Sequence, residues 1–178
     1  EQISANQFVG YRFTDGWGGE HKVFFALEFQ DTPVKFRTFN VENNPSKKSV
    51  EGKGVQGVFT FDGTKTKTIV FKVGLSSANL EGALADLKTV DKYQWDFEKV
   101  KMDARSKWNE VLGKIKVTSN KEEQKHIFYT ALYHAYLTPN RFSDVNGNYK
   151  GFNNKMENAK GYNQYTVFSL WDTFRALK

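Results

Sequence analysis

The chain has 178 residues, 39% of them hydrophobic and 16% aromatic. That is enough apolar material for one or two folded domains, while the lack of any cysteine excludes a disulfide scaffold and a thiolate metal site. The net charge of +6 is spread along the chain with no run of five basic residues, which describes a solvated surface and excludes a nucleic-acid groove; no apolar run approaches membrane-spanning length.

Residue 1 opens EQIS, with neither a basic nor a hydrophobic leader, so any export signal is expected to have been removed or to lie upstream. From residue 7 to residue 73 the chain reads as short strands. Residues 23–29 (VFFALEF) are apolar enough for a sandwich interior, residues 34–41 (VKFRTFNV) are mixed, and residues 55–61 and 68–73 are β-branched and aromatic. Turn residues separate them at Asp15-Gly16, Gly18-Gly19, Asn43-Asn44-Pro45 and Asp62-Gly63, the last pair predicting a hairpin. This pattern predicts part of an antiparallel β-sandwich, and the lack of a fixed repeat argues against a propeller or solenoid.

At Gly74 the period changes. Leu80, Ala83, Leu84 and Leu87 mark a short helix; Phe97, Val100, Ala104, Trp108, Val111, Leu112 and Ile115 mark a longer one beginning at Asp96, with Lys99, Lys101, Arg105 and Lys107 mostly off its apolar stripe. A third helix is predicted from a capping box, Ser119 with Glu122, and runs through Ile127, Phe128, Ala131, Leu132 and Ala135 until Pro139 stops it. The fold class is therefore α+β.

Residues 139–165 read as a long non-helical insertion in which Asn146-Gly147 is the preferred pair for a tight hairpin, so a β-ribbon is expected. Asp144, Asn146 and Asn148 match the first three ligands of an EF-hand loop, but the glycine falls at 147 and position twelve is Lys155 where a bidentate Glu is required. A turn-rich hairpin is the better reading. The last stretch, GYNQYTVFSLWDTFRALK, repeats Val167, Leu170, Trp171, Phe174 and Leu177 at helical spacing, with Thr166 or Ser169 as caps, and the helix is still running at Lys178 as though the chain were cut. On pattern alone Trp171 and Asp172 read as a buried indole and a helix-end carboxylate; an indole face beside a carboxylate also suits a sugar pocket. No HxxxH or HxxE pair, GxSxG elbow or phosphate-binding glycine loop occurs.

Three longer runs narrow the reading. WDFEKVKMDARSKWNEVLGKIKV, then EEQKHIFYTALYHAYLTPNRFSDVNGNYKGF, then GYNQYTVFSLWDTFRALK resemble the junction region of family 92 glycoside hydrolases, the calcium-dependent exo-acting α-mannosidases. GYRFTDGW, HKVFFALEF and KVGLSS follow the order of the end of that family's N-terminal sandwich.

The resemblance implies a partial antiparallel β-sandwich over residues 1–75, linker helices over 76–118, and the first helices of an (α/α)6 barrel over 119–178. It also implies inverting hydrolysis of α-linked mannose, with a Glu acid, an Asp base and calcium all expected downstream of Lys178. The residues this chain would supply are Trp171 and Asp172, lining the pocket for the terminal mannose. The implied partners are a mannose-containing glycan and the remainder of the barrel, or a second copy, over the exposed helical face; the implied compartment is periplasmic or extracellular. The competing expectation is a stand-alone β-sandwich binding or interaction module with a helical tail.

Overall fold

The structure is a computed structural model that describes residues 1–16, 19–41 and 48–166. The expected turn at Asn43-Asn44-Pro45, the helix from Val167 onward and the Trp171-Asp172 pair lie outside the described residues.

Strands β1 (Gln7–Thr14), β2 (His21–Phe29) and β5 (Phe71–Ser76) form an antiparallel sheet in the order β1-β2-β5. β3 (Lys35–Phe39) pairs with β4 (Gln56–Thr60) in a separate two-stranded sheet. Because side chains alternate along a strand, the first sheet has two distinct faces. Val9, Ala26 and Gly74 stand opposite one another in one row, and helix α1 (Leu80–Lys88) lies across that row with Ala83 and Leu87 buried against it. The row is small by necessity: a methyl group on Gly74 would come within 2.1 Å of the Ala83 carbonyl oxygen and 2.6 Å of the Leu87 nitrogen.

On the other face Phe8 and Phe29 meet Phe36 and Phe59 of the small sheet, with ring centroids 4.6 to 4.8 Å apart for the closest pairs. That aromatic block supplies the second layer of the sandwich at one end only. Farther along, Phe71, Val73 and Leu75 of β5 point the same way and are 55%, 47% and 57% exposed.

Asp62-Gly63 does not close a hairpin between consecutive strands. β4 pairs back to β3 and β5 pairs to β2, so the segment after β4 must cross between the two sheets. Asp62 instead makes a local turn, its carboxylate accepting from the Thr64 amide at 3.0 Å and the Thr64 hydroxyl at 2.7 Å.

Helix α1 is capped by Asn79, whose side chain accepts from the Gly82 amide. A short 3-10 turn (Asp91–Tyr93) then leads to Gln94 and Trp95, two consecutive non-glycine residues in the left-handed region, with φ of 50° and 66°. This corner is held from the sheet: Lys72 Nζ sits 3.9 Å from the centre of the Trp95 ring and 2.6 Å from Asp91, with Glu28 at 3.6 Å. Helix α2 (Phe97–Leu112) starts at its cap Asp96, as the spacing predicts, and pairs its own charges along the wet side: Asp96 with Lys99, Glu98 with Lys101, Asp103 with Lys107.

Helix α3 (Glu122–Ala135) begins at Lys121, which caps without a side-chain bond, so the predicted capping box does not form. Ser119 lies outside the helix, accepting from the Lys121 amide and donating to Gln124 Oε1. α2 and α3 touch through Trp108 and Tyr133, whose rings are 4.6 Å apart, and the Tyr129 hydroxyl of α3 holds the segment that follows α2, donating to the Ile115 carbonyl and accepting from the Val117 amide. Neither helix buries a residue. No helix of the described residues is long and apolar enough to cross a membrane.

Candidate functional site

The expected ribbon is present as β6 (Asn148–Lys150) paired with β7 (Met156–Asn158), but its turn is not where the sequence placed it. Residues 151–155 join the two strands, with Asn154 at φ 61°. Asn146-Gly147 forms a separate tight turn just before β6, closed by the Gly147 amide on the Asp144 carbonyl at 2.9 Å and the Asp144 amide on the Asn148 carbonyl at 2.8 Å. Glycine at 147 has φ 84°, which suits the pair to that turn.

The turn presents Asp144 to the N-terminal half of the molecule. Its carboxylate, 2% exposed, accepts from the Ser76 hydroxyl at 2.7 Å, and Ser76 Oγ in turn accepts from the amides of Ala78 and Asn79. Asp144 lies directly against the first turn of α1, where a methyl group on Gly82 would fall 1.9 Å from Asp144 Oδ2. Burial raises the Asp144 carboxyl above the usual carboxylate range; the Ser76 bond opposes that shift, Asp86 adds to it, and Arg141 opposes it.

More bonds follow the same seam. The Val145 amide donates to Asp86 Oδ1 at 2.8 Å, the Lys150 amide to Ser77 Oγ at 3.4 Å, Lys150 Nζ to the Glu20 carbonyl at 3.3 Å, and Asn79 Nδ2 to Met156 Sδ at 3.4 Å. Residues 59 to 130 positions apart in sequence are thereby locked together.

At its base the insertion is closed by Asn140 and Thr166. The Thr166 amide donates to the Asn140 carbonyl at 2.7 Å, and the Asn140 amide donates to the Thr166 hydroxyl at 3.0 Å. Phe142 and Ser143 both donate to the Gln164 carbonyl. The hydroxyl that the sequence offered as a helix cap is thus bonded to the incoming strand of the loop. Trp171 and Asp172, the two expected sugar contacts, follow this closure and lie outside the described residues.

The EF-hand-like run is spent on the fold. Asp144 faces Ser76, Asn146 Oδ1 accepts from the Asn148 amide at 3.1 Å, and Asn148 Oδ1 accepts from Asn158 Nδ2 at 2.7 Å. A calcium ion needs six to eight oxygens converging on one point. Each of these three is instead bonded to a different group of the fold, and no group of three or more His, Asp or Glu side chains converges among the described residues. These residues therefore do not fit a calcium site.

Sequence reading missed the anchoring role of Asp144 and Ser76 because nothing local marks it: they meet across 68 residues. The only available signal was that Asp144 sits at the start of a turn too irregular for an EF-hand.

The comparisons agree with this architecture. The model of the glycosyl hydrolase family 92 N-terminal domain matches residues 1–76, and that of the family 92 catalytic domain matches residues 82–178. A family 92 alpha-mannosidase of Bacteroides thetaiotaomicron, solved also in complex with mannoimidazole, superposes with a TM-score of 0.89 at 30% identity over 99% of this chain and 24% of its own. A second enzyme of that organism, described as a family 92 inverting mannosidase, shares the fold with a TM-score of 0.77 at 21% identity over 97% of this chain and 24% of its own. An uncharacterized secreted glycosidase of Arthroderma benhamiae is 28% identical over 72% of this chain and 19% of its own length. The chain thus spans about a quarter of the solved relatives and a fifth of the curated one. With one family 92 model matching residues 1–76 and the other matching residues 82–178, the chain belongs to glycosyl hydrolase family 92.

Proposed function

We propose that this chain is the junction region of an inverting exo-α-mannosidase that removes α-linked mannose from glycans, in which Trp171 and Asp172 contact the terminal mannose. In this reading residues 1–75 end a β-sandwich, 76–118 are linker helices, and 119–178 open an (α/α)6 barrel. The observation that carries it is the superposition of almost the whole chain on a family 92 alpha-mannosidase. The seam supports it physically. Asp144, bonded to Ser76, and the Asn140–Thr166 closure fix the loop that leads into residue 167 against the N-terminal sheet and α1.

Single-step inversion needs an acid and a base far enough apart to hold a water between them. Both carboxylates, and calcium with its ligands, are assigned to segments beyond this chain; calcium would bind sugar hydroxyls there. The chain's own part is to position. An indole face packs on the C–H face of a pyranose, and a carboxylate accepts from two hydroxyls. The exposed apolar surfaces of α2 and α3 are assigned to the remaining barrel, or to a second copy of the chain. A stand-alone module would have to bury those helices within one chain, and α2 and α3 bury no residue. The proposed compartment is periplasmic or extracellular, in keeping with the secreted relative.

The test is mannose release from an α-mannobioside. The longer protein should release mannose in a calcium-dependent manner and the 178-residue chain should release none. In the longer protein Asp172→Asn should lower kcat/KM by about 2 to 5 kcal/mol, because the sugar hydroxyls lose a charged acceptor in a dry pocket. An Asp172→Asn enzyme with unchanged kcat/KM but a lower Tm would make Asp172 a helix-end residue. A longer protein that cleaves other glycosides and no mannoside would overturn the substrate reading.

A further inference from the structure

Alongside the seam the insertion forms a groove of about 290 Å³, bounded on one side by the turn at residues 145–147 and on the other by residues 161–163, with Arg141 at its edge. Its size lies near the lower end of ligand sites, room for about one sugar ring. We propose that this groove is a subsite for a neutral sugar residue of the glycan, distal to the mannose being removed; the proposal rests on the glycosidase reading above.

The first ground is an aromatic face held in place. Tyr162 is 55% exposed, yet its hydroxyl lies 3.2 Å from that of the buried Tyr149, which donates to Glu157 Oε2 at 2.8 Å. Glu157 also accepts from Asn153 Nδ2 at 3.3 Å. A buried phenol and a carboxylate thus tether one exposed ring, and a ring fixed before binding loses little freedom when a ligand packs on it.

The second ground is the set of planar polar groups beside that ring. Arg141 uses Nη2 on the Asp144 carbonyl at 3.2 Å, which leaves other guanidinium N–H groups for a ligand. The Asn163 side chain makes no hydrogen bond among the described residues, and Asn146 uses only its oxygen. Amides and a guanidinium beside an aromatic face are the groups that read hydroxyls around an apolar C–H surface. Three of the four polar side chains on the groove, Asn146, Tyr162 and Asn163, are uncharged, which suits a neutral ligand.

The third ground is backbone. Gly161 has φ 82°, and a methyl group there would meet nothing within 4 Å, so the groove is open at that residue. Tyr162 precedes Trp171 by nine residues in the chain, which makes the groove a neighbour in sequence of the proposed terminal-mannose contact.

The experiment compares kcat/KM of the longer enzyme on a linear mannohexaose and on an aryl α-mannoside. In Tyr162→Ala the ratio of the two should fall about tenfold, the usual worth of one lost pocket contact. Asn163→Ala should lower the ratio in the same direction, and since this exposed side chain has no bond among the described residues it tests the groove even if Tyr162→Ala does not fold. Tyr162→Phe, which keeps the ring, should retain more of the ratio than Tyr162→Ala. An unchanged ratio in both alanine variants overturns the subsite. If the wild-type enzyme cleaves no mannoside, the substrate reading has failed on its own. The groove is then read by saturation-transfer NMR with neutral oligosaccharides: signals lost in Asn163→Ala support a sugar site, and no transfer in the wild type overturns it.

Discussion

Helices α1 and α2 carry apolar stripes of similar spacing, but they end in different environments. α1 buries Ala83 and Leu87 against a row of small residues and is then crossed by the insertion through Asp144, Val145 and Met156. α2 is nearly twice as long and buries nothing; Phe97 and Met102 are each 69% exposed, and only Trp108 makes a ring contact with α3. A stripe marks what a helix is able to bury, and the partner decides whether it does. In this chain the partners of α1 are present. Those of α2 and α3 are, in the function proposed above, supplied by the rest of a longer glycosidase.

The contrast can be broken by cutting side chains on either side of it. Leu87→Ala should destabilise the 178-residue chain by about 2 to 5 kcal/mol, because Leu87 is 2% exposed and the sheet and helix around it are too tightly packed to collapse into the space. Trp108→Ala removes a larger side chain but should cost only about 1 kcal/mol in the same chain, since the half-buried ring leaves an open surface and no cavity. Urea unfolding of both variants checks the order. Equal losses would mean that α2 and α3 already form a closed core.

pH sharpens the same comparison at smaller amplitude, and with opposite signs. Burial raises the folded pKa of Asp144, so its contribution is fully present below its unfolded value of about 3.9 and is lost as pH rises through the folded value. Hydrogen bonds from Tyr93 and then Lys107 lower the folded pKa of the half-buried Asp103 on α2, so its contribution is present above about 3.9 and is lost as pH falls through the folded value. In thermal melts across this range Asp144→Asn should gain stability relative to wild type as pH rises, and Asp103→Asn should lose it. A parallel response of the two variants would contradict the assignment of Asp144 as the buried charge.

What was legible in the sequence was what local chemistry dictates. The apolar run VFFALEF, the four-residue stripe of α1, the Asp96 cap and the arrest of α3 before Pro139 each follow from residues within a turn or two of one another. The errors came where a distant partner competed with a local signal. Asp62-Gly63 has the composition of a hairpin, but β5 finds β2 across more than forty residues and the pair becomes a crossover turn. Ser119 and Glu122 have capping-box spacing, but Ser119 bonds Gln124 and the helix starts later. The metal-like spacing of Asp144, Asn146 and Asn148 is local, and no local pattern could show that Asp144 would be the buried acid of a seam with Ser76.

Native-state hydrogen exchange on the 178-residue chain beside the longer protein tests the account most directly. Amides of α1 and β2 should be protected to the same degree in both, because their partners lie within this chain. Amides of α2 and α3 should exchange quickly in the 178-residue chain and gain protection in the longer protein, where a barrel would cover them. Protection of α2 and α3 in the 178-residue chain equal to that of α1, unchanged in the longer protein, would contradict the claim that these helices open a domain completed elsewhere.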